Sequence, residues 1–181
     1  MGLASGSRHY IVQVPTLTPP PDEVADLLIR MTRLEWPTSE EERLGFFAAL
    51  GLRDGEVVEN RMLETVSRSL STPWSSVSGV GHMFREEFLG LSLFCYDERG
   101  DDGPLAREGF AGLHEHLSAA LGRPIEEWGP AREPACLWQP GPLTIDMYCF
   151  QRLSSSVMVG PSHTERSAAN DAAHEQAARR E

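Results

Sequence analysis

An amphipathic helix stopped first by glycine and then by proline constrains this chain more than any other feature. Over residues 110–121, Phe110, Leu113, Leu117, Ala120 and Leu121 recur at helical spacing, giving an apolar stripe that can lie across a sheet. Gly122 supplies a helix-ending residue, and Pro124 prevents continuation. Three short strands are expected to follow, at 135–138, 143–152 and 156–160, punctuated by Pro140-Gly141-Pro142 and by Ser154-Ser155. In the middle strand Leu143, Ile145, Met147 and Cys149 alternate with Thr144 and Asp146, so one face meets the helix. Tyr148 and Phe150 interrupt the polar face. They either pack under the N-terminal helices, the preferred reading, or form an exposed aromatic contact.

The chain before this stretch reads as an arm, two helices and a meander. Residues 1–20 begin small and end in a proline cluster, which predicts a flexible arm despite a strand-like run at 9–14. From Pro21 a first helix carries Val24, Leu27, Leu28, Met31 and Leu34 on one face, with Asp22 and Glu23 at its positive end and Arg30 and Arg33 at its negative end. Trp36-Pro37 ends it. Ser39 and Glu42 have capping-box spacing and open a second helix whose apolar side is Leu44, Phe47, Ala48 and Leu52, closed by Gly51. Residues 56–72 fit either a helix or a strand, with the strand preferred. Runs at 77–84 and 88–96, joined by Arg85-Glu86-Glu87, form a meander, and 97–103 is an acidic solvent loop too short and irregular for a calcium site. Beyond residue 162 no large apolar residue remains, so 163–181 is expected to be a mobile polar tail.

These elements predict a single α+β domain over 21–162: two N-terminal helices, an antiparallel meander, a central helix and C-terminal antiparallel strands. Together the strands form one mainly antiparallel sheet covered by helices. A length of 181 residues with 40% hydrophobic residues suits one core.

Charge and cysteine usage exclude several function classes. The net charge of −11 repels phosphate backbones, so no nucleic-acid partner is expected. An acidic surface either attracts a basic protein or serves solubility. All 16 basic residues are arginine, as in a GC-rich bacterial genome. Cys95, Cys136 and Cys149 lack paired spacing and sit among apolar neighbours, which predicts buried free thiols and a cytoplasmic setting. No signal peptide and no membrane span are expected.

No catalytic motif is present. His114 and His116 lie two apart, which sends them to different faces of a helix, and His82 reads as a hydrogen-bonded structural residue. No nucleophile elbow exists, and Gly79-Val80-Gly81 lacks the other parts of a phosphate loop. No cofactor, metal or catalytic residue is therefore assigned.

The order of elements is familiar: helices ending in Leu34-Glu35-Trp36-Pro37 and Ala49-Leu50-Gly51, a meander, Leu121-Gly122-Arg123-Pro124, then Cys136-Leu137-Trp138 and a terminal hairpin. Over residues 21–162 it resembles a group of small actinobacterial proteins that look like immunity proteins of polymorphic-toxin systems, and also like dedicated secretion chaperones. The resemblance implies stoichiometric binding of a partner protein, a toxin or a secreted effector, and carries over no functional residue; the third alternative, an enzyme or small-ligand-binding protein, would show a deep pocket with converging polar residues. Candidate contacts read from charge and aromaticity are Glu40, Glu41, Glu42, Glu86, Glu87, Asp97, Glu98, Asp101 and Asp102, with Trp36 or Trp74 as anchors. Trp128 and Trp138 are read as structural.

Overall fold

The computed structural model describes residues 16–59, 65–99, 103–151 and 154–179. Strand-like residues 9–14, most of the arm and the acids Asp101 and Asp102 lie outside them. Among the described residues the order is α1 (Pro21–Arg33), α2 (Glu40–Leu50), β1 (Arg53–Glu59), β2 (Thr65–Ser71), β3 (Ser78–Phe84), β4 (Glu87–Arg99), α3 (Pro104–Leu121), β5 (Glu126–Trp128), β6 (Ala135–Trp138), β7 (Leu143–Gln151), β8 (Ser154–His163) and α4 (Thr164–Ala178). The eight strands make one antiparallel sheet in the order β1-β2-β3-β4-β8-β7-β6-β5. The fold is α+β, as the sequence predicts.

Helix α1 follows its charge pattern, with Pro21 in the first turn and Val24, Leu27, Leu28 and Met31 buried. It ends at Arg33, ahead of the predicted Trp36-Pro37 stop, and Leu34 turns extended and 40% exposed. In α2 the Ser39 hydroxyl accepts from Glu42 N–H at 3.2 Å, and Gly51 takes the left-handed conformation at φ 72°. The glutamate reaches one residue further back than a capping box requires, accepting from Thr38 N–H at 2.7 Å and Thr38 Oγ1 at 2.8 Å. Its apolar face also differs from expectation. Leu44 is 49% exposed and Ala48 is exposed, while Phe46, Phe47, Leu50 and Arg43 turn inward. Two adjacent phenylalanines outweigh one leucine because each buries a larger apolar area.

The ambiguous 56–72 region contributes to two strands, β1 and β2, rather than one. The predicted acidic loop begins later than expected, because β4 runs on through Asp97, Glu98 and Arg99. An irregularity between Cys95 and Glu98 lets it continue against β8. Helix α3 begins six residues before the predicted start, at Pro104, and buries Ala106, Gly109, Leu113 and Leu117. Gly109 is needed for packing, since a Cβ there would fall onto the Tyr96 ring.

Helices α1, α2 and α3 cover one face of the sheet, which we call inner. Against it lie Leu91, Leu93 and Cys95 of β4, Ile145, Met147 and Cys149 of β7, and Val157 and Val159 of β8. Trp36 stacks on Phe88 at 5.0 Å between ring centroids and meets Phe46 edge-on at 5.3 Å.

Within the expected polar tail, residues 164–178 form α4, which packs on the opposite, outer face. Its lack of an apolar side was read correctly, for none of its residues is buried. Polar contacts hold it instead. Arg166 donates to the carbonyls of Pro37 at 2.7 Å and Phe88 at 2.9 Å, and Thr65 donates to Asn170 Oδ1 at 3.0 Å.

Candidate functional site

Strand alternation determines what the outer face displays. With Ile145, Met147 and Cys149 inward, Thr144, Asp146, Tyr148 and Phe150 must point outward. Register then aligns neighbouring strands: Phe94 of β4 pairs with Met158 of β8, Met158 with Tyr148 of β7, Tyr148 with Ala135 of β6, and Ala135 with Trp128 of β5. The result is a cross-strand row with Phe94, Met158, Tyr148 and Trp128 as its large side chains. Trp128 meets Tyr148 edge-on at 5.6 Å, and Tyr148 stacks on Phe150 at 6.0 Å. Trp128 is 41% exposed and Phe150 40%.

Two readings are corrected here. Tyr148 and Phe150 form the exposed aromatic contact rather than packing under the N-terminal helices, which occupy the other face. Trp128 is a surface residue, whereas Trp138 is buried and donates from Nε1 to the Gly122 carbonyl at 3.0 Å. The period-two signal of β7 already pointed outward for the first pair; for Trp128 no such signal existed, because β5 has only three residues.

Helix α4 covers the remainder of the outer face. Beneath it His82 lies with Ser67 Oγ 3.1 Å from Nδ1 and Ser92 Oγ 3.4 Å from Nε2. Burial lowers its pKa, keeping the ring neutral near pH 7. A cavity of about 210 Å³ between α4 and the sheet also touches Asp146, whose carboxyl is pushed up by burial. Among the described residues no group of three or more histidines, cysteines or acids is arranged to hold a metal.

The three cysteines are buried and free. Burial pushes the Cys95 and Cys136 thiols up to about 12 and raises that of Cys149 as well. A thiol so held is not a nucleophile at neutral pH. His114 lies 3.3 Å from Glu127 on the surface and packs near Trp138.

The acidic candidates do not form one surface. Glu40, Glu41, Glu42, Glu86 and Glu87 gather where α2 begins and β3 turns into β4, since Glu40 and Glu86 line one cavity. Asp97 and Glu98 sit at the far end of β4. Ten residues of strand at about 3.3 Å each separate Glu87 from Asp97 by roughly 33 Å. Several of these acids already serve the fold. Glu42 caps α2, and the hydrogen bonds from Thr38 hold its carboxyl below the usual range. Glu98 accepts from Leu105 N–H at 3.3 Å in the first turn of α3, and Glu87 lies 3.6 Å from Arg166.

The two predicted tryptophan anchors are committed inward. Trp36 is 7% exposed and donates to the Phe88 carbonyl at 3.2 Å, so it is a core residue rather than a surface anchor. Trp74 is half-buried against the core and donates to Glu23 at 3.1 Å. No described helix is long and apolar enough to cross a membrane.

No protein-family model matches this sequence, and no curated protein matches it. Among solved structures the chain is similar to a DUF4309 family protein, YjgB, from Bacillus subtilis. The two are 11% identical at a TM-score of 0.44, over 78% of this chain and 97% of that one. So distant a likeness carries no functional inference.

Proposed function

We propose that this chain is a non-catalytic protein-binding module that receives its partner on the outer sheet face around Trp128, Tyr148 and Phe150. The row of large apolar side chains left open beside α4 carries this reading. Contiguous exposed aromatics rimmed by polar groups are where binding energy concentrates at protein interfaces. Here Glu126 and Asp146, which strand alternation places on the same face as the row, supply such a rim. The sheet edges are poorer surfaces, since β1 carries two register shifts and β5 is only three residues long.

Of the two roles the sequence resemblance implies, this apolar surface favours a dedicated chaperone that holds a segment of a secreted effector. The immunity-type reading, inhibition of a basic toxin, has support of a different kind: the glutamates at the start of α2 and at the β3–β4 turn gather at one end of the molecule. The two readings differ in salt dependence, because an apolar contact tolerates salt and an exposed ionic one does not.

Binding to the products of adjacent genes, measured by calorimetry at about 0.1 M and about 0.5 M salt, tests both. A complex that survives the higher salt and weakens at least about tenfold in W128A and in F150S supports the chaperone reading. One that is lost at high salt and in E40Q or E86Q, but not in W128A, supports the immunity reading. Failure of every adjacent product to bind removes both.

A further inference from the structure

At the end of the sheet remote from the aromatic row, a cavity of about 860 Å³ opens between the N-terminus of α2 and the ends of β2 and β3. Its volume falls in the range of small-molecule sites. The wall is unusual for so acidic a chain, because it presents Arg43, Arg68 and Arg85 around an apolar floor of Val66 and Met83.

Among the described residues, the arginines of this wall outnumber the buried carboxylates that face them. Arg43 is 2% exposed and its Nη1 lies 2.9 Å from Asp54 Oδ2. Arg68 Nη1 lies 3.9 Å from the same oxygen. One carboxylate thus serves two guanidinium groups. Glu40 stands 3.6 Å from Arg43, but its side chain is 72% exposed and its charge is screened by water. Arg43 Nε and Asp54 Oδ1 are both buried without a hydrogen-bond partner. A cationic excess at a partly desolvated wall favours an anion over water.

The mouth of the cavity narrows the class of anion. Glu40 and Glu86 line it beside Arg85, and the two carboxylates penalise a dianion more than a monoanion. Val66 and Met83 reward a hydrocarbon body. The mouth is bordered by the two-residue β3–β4 turn, in which Arg85 and Glu86 both take positive φ, 50° and 68°, where asparagine and glycine are the unstrained choices. Backbone strain of this kind collects at functional sites.

We infer that this cavity binds a monoanionic carboxylate carried on an apolar chain, with the Arg68 guanidinium as its principal contact. A free organic acid and the C-terminus of a peptide both present that chemistry. The site is independent of the outer aromatic face and stands or falls separately from it.

The test is titration of the purified chain with hexanoate, hexylammonium and inorganic phosphate, read by calorimetry or ligand-detected NMR. Hexanoate is expected to bind at least about tenfold more tightly than the other two. Arg68→Gln should weaken hexanoate by about tenfold, and Arg68→Lys by less, because lysine keeps the charge but loses the bidentate fork. Glu86→Gln, an exposed turn substitution that leaves the core untouched, should tighten hexanoate by roughly twofold or more as the mouth loses a negative charge. Hexanoate binding no tighter than phosphate, or unchanged in Arg68→Gln, overturns the inference, as does weaker binding in Glu86→Gln. A leucine tripeptide tested as free acid and as amide identifies the source. Tighter binding of the tripeptide acid than of hexanoate assigns the site to a chain terminus, and the reverse to a free acid. Equal binding of acid and amide contradicts the carboxylate.

Discussion

Along β7, Ile145 and Met147 are fully buried under the helices, while Tyr148 and Phe150, on alternate residues of the same strand, stand open on the other side. Both sets are apolar, yet one is the centre of the fold and the other lies on its surface. On the inner face three helices bring complementary apolar stripes, so burial is collective and every side chain has neighbours on all sides. On the outer face the only helix among the described residues is α4, which has no apolar stripe to bring. It docks by Arg166 and Asn170, over the end of the sheet where His82 and the serines offer hydrogen bonds, and leaves the aromatic end bare. An apolar surface is buried when something apolar is available to cover it, and among the described residues such cover lies on one face only.

The contrast predicts steeply different responses to substitution. The largest effect is expected where backbone itself is in contact: a Cβ at Gly160 would fall onto the Leu91 carbonyl of the neighbouring strand. Gly160→Ala should therefore force β4 and β8 apart and cost about 4 kcal/mol or more in denaturant unfolding; a loss below about 1 kcal/mol would mean that the strands can separate cheaply. Next, Leu113→Ala removes a wholly buried side chain from the inner face of α3 and should cost about 2–5 kcal/mol by the same measurement.

Phe150→Ser tests the other side. With the side chain 40% exposed, unfolding should shift by less than about 1 kcal/mol, while solubility rises and binding of an apolar reporter dye falls. A destabilisation as large as that of Leu113→Ala would show that the aromatic row belongs to the core.

The smallest effect concerns pH. His82 has its pKa lowered by burial, so between that depressed value and the ordinary 6.5 the unfolded chain binds more protons than the folded one. Stability should fall as pH drops through 6.5, and His82→Asn should flatten the slope in that window. Asp146 works in the opposite sense at lower pH. Its raised pKa means that the folded state holds the proton longer, so its contribution to stability is lost as pH rises from 3.8 through the folded value. A slope near pH 6 that persists in His82→Asn would point to another group.

How much of this was legible in the chain follows from the range of the interactions involved. The cap at Ser39, the left-handed Gly51 and the stripe of α3 were readable because each depends on residues within a few positions of one another. The same holds for the alternation of β7 and for the burial of the three cysteines. The face of α2 was misjudged because nothing local says whether Leu44 or Phe46 will meet Trp36 and Phe88, which lies 42 residues beyond Phe46. Trp36 and Trp128 were exchanged in role for a similar reason. Each is flanked by turn residues, and only the pairing of a three-residue strand with β6 puts Trp128 outside.

Local patterning in the chain specified α1, the start and stop of α2, the stripe of α3 and the alternation of β7, since these are set by backbone geometry repeating every two residues or every 3.6. Only the tertiary structure decided the pairing of β4 with β8 and the docking of α4. It likewise decided the gathering of Phe94, Met158, Tyr148 and Trp128 from four strands into one row. Those outcomes depend on contacts between residues far apart in the chain, whose free energy is decided by the whole assembly rather than by any one segment.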